Sequence, residues 1–386
     1  MNHEKVILPP AMLGMLGGGQ LGRFFVIAAH EMGYKVTVLD PDKNSPAGKI
    51  ADVHLCAAFD DIYALNMLAT SCQAISTEFE NVPAASLEKL SETVLVRPAA
   101  ASVAIAQHRV SEKNFLLHAG LPLAPFVVVN SNEDLPQNGS ELYPAILKVA
   151  RFGYDGKGQA RVRNKLEAQQ AFGQFGGEEC VLEKMLNLDY EISVVLARDV
   201  GGNIAAFPTA ENSHLNGILD MTTVPARAIT NCDQAINQQA QQLAAELAEK
   251  LNYVGVLGVE FFVCDGVLLV NEIAPRPHNS AHYTIDACVT NQFEQQVRIM
   301  AGLPLGDARL HSNAVMVNLL GDIWHDNVEP AWDFALTYPE LKMHSYRKHQ
   351  ARAGRKMGHF TLIGEDREAL VQAAFNIRSV LGIGRR

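Results

Sequence analysis

One stretch, residues 146–159 (ILKVARFGYDGKGQ), constrains this chain more than any other. A short apolar strand carrying Lys148 runs directly into a loop holding Gly153, Gly156 and Gly158. Glycine has no Cβ, so several backbone N–H groups can converge there on one anion, and Lys148 and Lys157 add the charge a triphosphate needs. Asp155-Gly156 is also a turn dipeptide, and taken alone these residues fit a plain hairpin nearly as well. The flanking sequence separates the two readings.

A chain of 386 residues amounts to two or three domains on size. Its formal charge of -10 argues against a general binder of nucleic acid or membrane surfaces, neither of which attracts a net anion. The 6 cysteines are scattered without a C-x-x-C pair, which suggests thiols in a reducing cytoplasm rather than a zinc site or disulfide framework. The apolar opening at 6–16 is broken by Pro9-Pro10 and runs into a glycine-rich turn, so it reads as a first strand and not as a signal peptide. No run reaches the length of a membrane span. A cytoplasmic protein is the expectation.

Residues 1–100 alternate apolar strands with helices (MLGMLGG, a helix near 21–32, KVTVLD, AIST, a helix over 84–90, TVLVRP), the pattern of a doubly wound parallel sheet in an α/β domain. Gly17, Gly19 and Gly22 match G-x-G-x-x-G, and Asp40 ends the next strand where an acid would hold a ribose. This is the best case for an NAD-dependent oxidoreductase, although the same glycines serve any ligand at a helix N-terminus or simply permit close packing. Gln20 sits inside the turn. Glu78 ends the AIST strand and reads as a ligand group, with Glu80 beyond it as part of a solvated loop.

A second domain is expected over 101–302, of antiparallel α+β type: two helices over 100–120, strands at 125–129, 145–149 and 160–162, a helix at 165–172 and a strand at 180–184. Arg109 starts the second of the two opening helices. Next come the strand YEISVVLARD, ENSHLNGIL read as a loop holding His214, and a helix over 235–251. GVEFFVCDGVLLVNEIAPRPHNS then reads as a hairpin turning at Asp265-Gly266. A two-residue loop sets Glu260 opposite Asn271; one extra loop residue or a bulge sets it opposite Glu272. Two carboxylates about 4 Å apart repel by about 4 kcal/mol at an effective dielectric near 20, so such a pair calls for a cation. Oxygen ligands suit magnesium, which shares its coordination with phosphates. A small domain over 303–386 completes the chain, with a strand at 314–319, the cationic run YRKHQARAGRKMGH at 346–359 and a helix at 367–381.

Lys148, GYDGKGQ, EKML, Glu191 and the GVEFF…NEIAPRPHNSAH hairpin together resemble the ATP-grasp fold. With GGGQLG, TEFENVP, ENSHLNGIL and RKMGH added, the chain resembles over essentially its whole length the 5-(carboxyamino)imidazole ribonucleotide synthases, carboxylating enzymes of purine synthesis. The resemblance implies ATP phosphates on Arg109, Lys148 and the loop Gly153, Tyr154, Asp155, Gly156, Lys157, Gly158 and Gln159. It implies an adenine slot of Glu183, Lys184, Met185 and Leu186, the ribose on Glu191, and His214 closing the pocket. Magnesium would sit on Glu260 and Glu272 beside Asn271. The aminoimidazole ribonucleotide would meet Gln20, Glu78, Tyr154 and Asp155, with its phosphate on Arg276, His278, Asn279, Ser280, Lys348, Arg355 and Lys356. Asp155, Lys348 and Arg276 are the expected catalytic groups, Asp155 as proton acceptor. Two residues depart from the family pattern: Ala281 and Arg347 each replace a usual glycine.

What the resemblance implies chemically is ATP-dependent activation of bicarbonate as carboxyphosphate, followed by carboxylation of the ribonucleotide's exocyclic amine, in a homodimer. The glycine loop would be a lid that excludes water. A related ATP-grasp enzyme that formylates glycinamide ribonucleotide with formate is the nearest alternative. A catalytically silent nucleotide sensor is the non-enzyme one, and the intact Glu260, Asn271 and Glu272 set argues against it.

Overall fold

The N-terminal hundred residues fold as the alternation predicts, into a parallel sheet of strand order β3-β2-β1-β4-β5. The structure, a computed structural model, describes residues 6–151, 153, 158–228, 230–324 and 328–384. The sheet comprises β1 (Met12–Leu16), β2 (Lys35–Leu39), β3 (Val53–Leu55), β4 (Ala74–Thr77) and β5 (Leu95–Val96), with helices α1 (Gln20–Glu31), α2 (Ile62–Ser71) and α3 (Ala84–Ser91). β1 and β4 are almost wholly buried, as strands covered by helices on both faces must be. The first strand begins at Met12, after the two prolines, and TVLVRP yields only the two residues of β5. Strand β3 and helix α2 were not legible. β3 is a three-residue edge strand, and α2 leaves Ile62 and Tyr63 exposed, so its apolar residues trace no single stripe.

Helices α4 (Ala100–Ala106) and α5 (Arg109–His118) lead into a four-stranded antiparallel sheet, order β6-β9-β7-β8. Its strands are β6 (Phe126–Val129), β7 (Ala145–Val149), β8 (Gln159–Val162) and β9 (Cys180–Lys184), backed by α6 (Lys165–Gln174). A larger antiparallel sheet follows, formed by β10 (Tyr190–Arg198), β11 (Ile204–Ala206), β12 (Ala210–Leu215), β13 (Ile218–Val224), β14 (Gly255–Cys264) and β15 (Val267–Ala274). Helix α7 (Asn231–Lys250) packs on it, started by a capping box in which Thr230 and Asp233 satisfy each other's backbone N–H. Helices α8 (Thr284–Ala287) and α9 (Gln292–Met300) return the chain toward the first sheet, α9 packing against α1 through Phe24 and Phe293.

The last segment, β16 (Asn313–Leu320), α10 (Trp332–Ala335), β17 (Leu341–Ser345), β18 (Lys356–Gly364) and α11 (Arg367–Leu381), adds its strands to that same sheet. The nine strands run β15-β14-β10-β12-β13-β16-β18-β17, with β11 beside β10.

ENSHLNGIL is not a loop. β12 and β13 form a hairpin across Asn216-Gly217, whose φ values of 54° and 79° are both positive, as a two-residue turn of this twist requires. The Asp265-Gly266 hairpin turns as expected, again with both φ positive, at 50° and 70°. A bulge after Glu260 makes Asn271 the extra residue and sets Glu260 opposite Glu272, resolving the two registers.

Candidate functional site

A cavity of about 660 Å³ opens where the three sheets meet. Its first wall comes from the four-stranded sheet. Ile146 on β7 lies opposite Glu183 on β9, so Lys148, two residues on, is the diagonal neighbour of Glu183 on the same face. The Lys148 ammonium donates to Glu183 Oε2 at 2.8 Å, and Lys113 on α5 stands 3.3 Å from the other carboxylate oxygen. Burial alone would raise the Glu183 pKa, but Lys148 and Lys113 outweigh it and hold the carboxyl at about 2. The lysine does not respond in kind: burial lowers the Lys148 pKa, and Arg109 and Lys113 add to the effect against the pull of Glu183. Arg109, Lys113 and Lys148 gather around Glu183, with Glu112 as a second acid beside Arg109 and Lys113, and Lys148, Arg109, Gly153, Gly158 and Gln159 lie at the cavity surface. Glu183 lies beneath that surface at 3% exposure, and Lys184, Met185 and Leu186 are not among the lining residues. Tyr154, Asp155, Gly156 and Lys157 fall outside the described residues.

The facing wall is the end of β14 and β15. Glu260 and Glu272 point into the cavity, and the Asn271 amide reaches Glu260 at 3.4 Å. Burial first and the opposing Glu272 second push the Glu260 pKa up. Arg109 approaches Glu272 at 3.8 Å and His278 approaches Glu260 at 3.4 Å. Two facing carboxylates and an amide form an all-oxygen donor set, the kind a hard divalent cation takes. Beside them His214 lies 2.9 Å from Glu191. Burial opposes its charging, yet Glu191 and then Glu260 raise its pKa.

The floor belongs to the first sheet. Glu78 lines the cavity, and its carboxylate accepts the backbone N–H groups of Gly19 and, at 3.1 Å, Leu21. Asp40 accepts Gly18 N–H at 2.6 Å. The glycine turn is therefore filled by the protein's own acids, in the place where a dinucleotide's pyrophosphate would bind. This removes the oxidoreductase reading. Glu80 is no solvated loop residue either; it forms a two-pronged ion pair with Arg276. Gln20 accepts from Lys348. His278, Asn279 and Lys356 line the cavity, whereas Lys348 and Arg355 stand outside the lining. Ser280 is fully buried, its hydroxyl held between Ser193 at 2.7 Å and His278 at 2.8 Å, so it orients the histidine from behind.

Among the described residues Asp286, His344 and His359 bring candidate ligand atoms within 4.8 Å of one another. The two imidazoles lie stacked, with centroids 4.6 Å apart and planes 23° apart. Their in-plane lone pairs cannot converge on one ion at bonding distance. This cluster is packing.

Three family models match in order: the ribonucleotide synthetase preATP-grasp domain at residues 11–107, the ATP-grasp domain at 114–293 and the phosphoribosylaminoimidazole carboxylase C-terminal domain at 314–373. The chain is 42% identical to the N5-carboxyaminoimidazole ribonucleotide synthase of Bacillus subtilis over 97% of both chains. The chain belongs to the N5-carboxyaminoimidazole ribonucleotide synthases. It is also 45% identical to the synthase of Brucella melitensis, over 93% of this chain and 98% of that one. An N5-carboxyaminoimidazole ribonucleotide synthetase solved with ADP superposes with a TM-score of 0.91 at 40% identity, covering 99% of this chain and 98% of that one. The Aspergillus clavatus synthase, solved with ADP and 5-aminoimidazole ribonucleotide, gives 0.88 at 29% identity over 96% and 98%.

Within this synthase fold the two departures from pattern have different consequences. The Ala281 side chain packs into a buried apolar cluster with Tyr283 and Val256. Arg347 adopts φ 58°, the left-handed region that favours glycine, and its charge bears on Arg23. Sequence reading also passed over two buried charges beside the cavity, Glu112 and Lys113. With Arg109 and Leu116 they form an i, i+3, i+4, i+7 face of α5. The signal was three charges on the stripe where a helix normally buries apolar residues.

Proposed function

We propose that this chain uses ATP to carboxylate the exocyclic amine of 5-aminoimidazole ribonucleotide with bicarbonate, giving N5-carboxyaminoimidazole ribonucleotide, ADP and phosphate. One observation carries the reading: a cation-rich wall around Lys148 faces a carboxylate pair, Glu260 and Glu272, across a single cavity. A nucleoside triphosphate satisfies both walls at once, its phosphates lying on the cations and its metal on the carboxylates. Membership of a synthase family with relatives solved holding ADP, and in one case ADP with 5-aminoimidazole ribonucleotide, supports it.

In this reading Arg109 and Lys148 hold the phosphates, and Glu191 with His214 takes the ribose. Glu260, Glu272 and Asn271 would hold magnesium, which when bound offsets the charge on the transferring phosphoryl oxygens. Phosphoryl transfer to bicarbonate gives carboxyphosphate, which passes its carboxyl carbon to the amine as phosphate leaves. The ribonucleotide lies toward the floor against Gln20, with its phosphate near Arg276, His278, Asn279 and Lys356, and Lys348 held through Gln20. Glu80 fixes Arg276 for that role. Asp155 takes the amine proton, a role that Asp155→Asn tests by loss of turnover. The homodimer belongs to the same reading and is checked by sedimentation.

The deciding experiment is coupled ADP release with 5-aminoimidazole ribonucleotide and bicarbonate each present or withheld. Release that requires both is expected. Release driven instead by glycinamide ribonucleotide with formate would replace the reading with the formylating alternative.

A further inference from the structure

Glu112 and Lys113 are adjacent, fully or almost fully buried, and unused by the chemistry above. Each makes its bond to the backbone of β15. The Lys113 ammonium donates to the carbonyl oxygen of Asn271 at 2.9 Å, and Glu112 Oε1 accepts the N–H of Ile273 at 2.6 Å. Residue 272 lies between those two bonds. At this bulge the ladder leaves Asn271 unpaired with β14, so the regular sheet does not by itself determine where the strand points. Lys113 also stands 3.3 Å from Glu183, on the opposite sheet, and so ties the two walls of the cavity together.

We infer that Glu112 and Lys113 are positioning residues, a two-pronged backbone clamp that aims Glu272 and sets the spacing between the metal-binding and phosphate-binding walls. Burying a carboxylate and an ammonium here is costly unless both are paired. An apolar pair would pack α5 against β15 equally well without directing either peptide group. This inference rests on the reading of Glu260 and Glu272 as divalent-cation ligands, and its test separates the two.

The test measures Mn2+ binding to the ADP-loaded protein by electron paramagnetic resonance, alongside metal-free ADP binding by calorimetry. Glu112→Met removes the acceptor for Ile273, whereas Glu112→Gln keeps an oxygen in the same place. Glu112→Met is expected to weaken Mn2+ by about tenfold, the usual scale for losing a group that supports a metal ligand. Glu112→Gln should stay within about twofold of the parent, and metal-free ADP affinity should hold in both. Lys113→Met should weaken Mn2+ similarly, giving a second route if Glu112→Met does not fold. Parent-like Mn2+ affinity in Glu112→Met or Lys113→Met, or equal loss in Glu112→Met and Glu112→Gln, would overturn the clamp alone. Failure of the parent protein to bind Mn2+ with ADP would overturn both the clamp and the metal reading.

Discussion

The Glu78 carboxylate accepts the backbone N–H of Gly19, so the first turn of α1 is capped by a strand-end acid 59 positions away. The wild-type protein is therefore expected not to bind NADH, shown by unchanged nicotinamide fluorescence on titration. Glu78→Ala would strand the Gly19 and Leu21 donors in a buried setting, and a stability loss of about 1–3 kcal/mol is expected in urea unfolding. Unaltered stability would mean that water replaces the carboxylate there.

Lys148→Ala should lower ADP release by at least about 100-fold, in line with removing a charge aimed at a developing anion. The fold should survive, because Lys113 still faces Glu183 and keeps that carboxylate from being orphaned. Circular dichroism and coupled ADP release together check this. Normal turnover would remove Lys148 from the phosphate wall.

The Glu183 carboxyl is depressed from 4.5 to about 2, so its stabilising contribution is complete above pH 4.5 and is lost as the pH falls toward 2. A shift of that size corresponds to roughly 3 kcal/mol at neutral pH. Thermal melts of the wild type should fall steeply across this acid window. Glu183→Gln should start lower at pH 7 and show a shallower acid limb; parallel limbs would contradict the pairing.

Lys356 lines the cavity, while Arg355 turns its guanidinium toward the carbonyl of Gln350 at 2.9 Å. Lys356→Ala should therefore raise the KM for 5-aminoimidazole ribonucleotide by about tenfold, typical of losing one charged contact, and Arg355→Ala by much less. Steady-state kinetics at saturating ATP separates them. The reverse order would mean that Arg355 swings inward when substrate binds.

Much of this molecule was legible wherever a local rule left one solution. Asp265-Gly266 announces its hairpin, and the buried strands β1, β2 and β4 read as apolar runs. Asn216-Gly217 carries the same turn chemistry, yet β12 is polar along AENSHL, with Glu211 paired to Arg227, Asn212 bonded to Ser193 and Thr222 and only His214 in the cavity, and that hid the strand. Whether Glu260 meets Asn271 or Glu272 depends on a bulge, which composition does not encode. Glu80 looked solvated because its partner, Arg276, is 196 positions away. The Glu112 and Lys113 contacts were hidden for the same reason: their targets are backbone atoms more than 150 positions downstream.

The strand order carries one further consequence. Because β13 pairs with β16 in the middle of the large sheet, removing everything after residue 302 would not release an appendage. It would bare the hydrogen-bonding edge of β13, a largely buried interior strand, and invite other chains to pair there. A truncated protein should precipitate rather than survive as a smaller nucleotide binder, so the tail cannot be exchanged like a cassette.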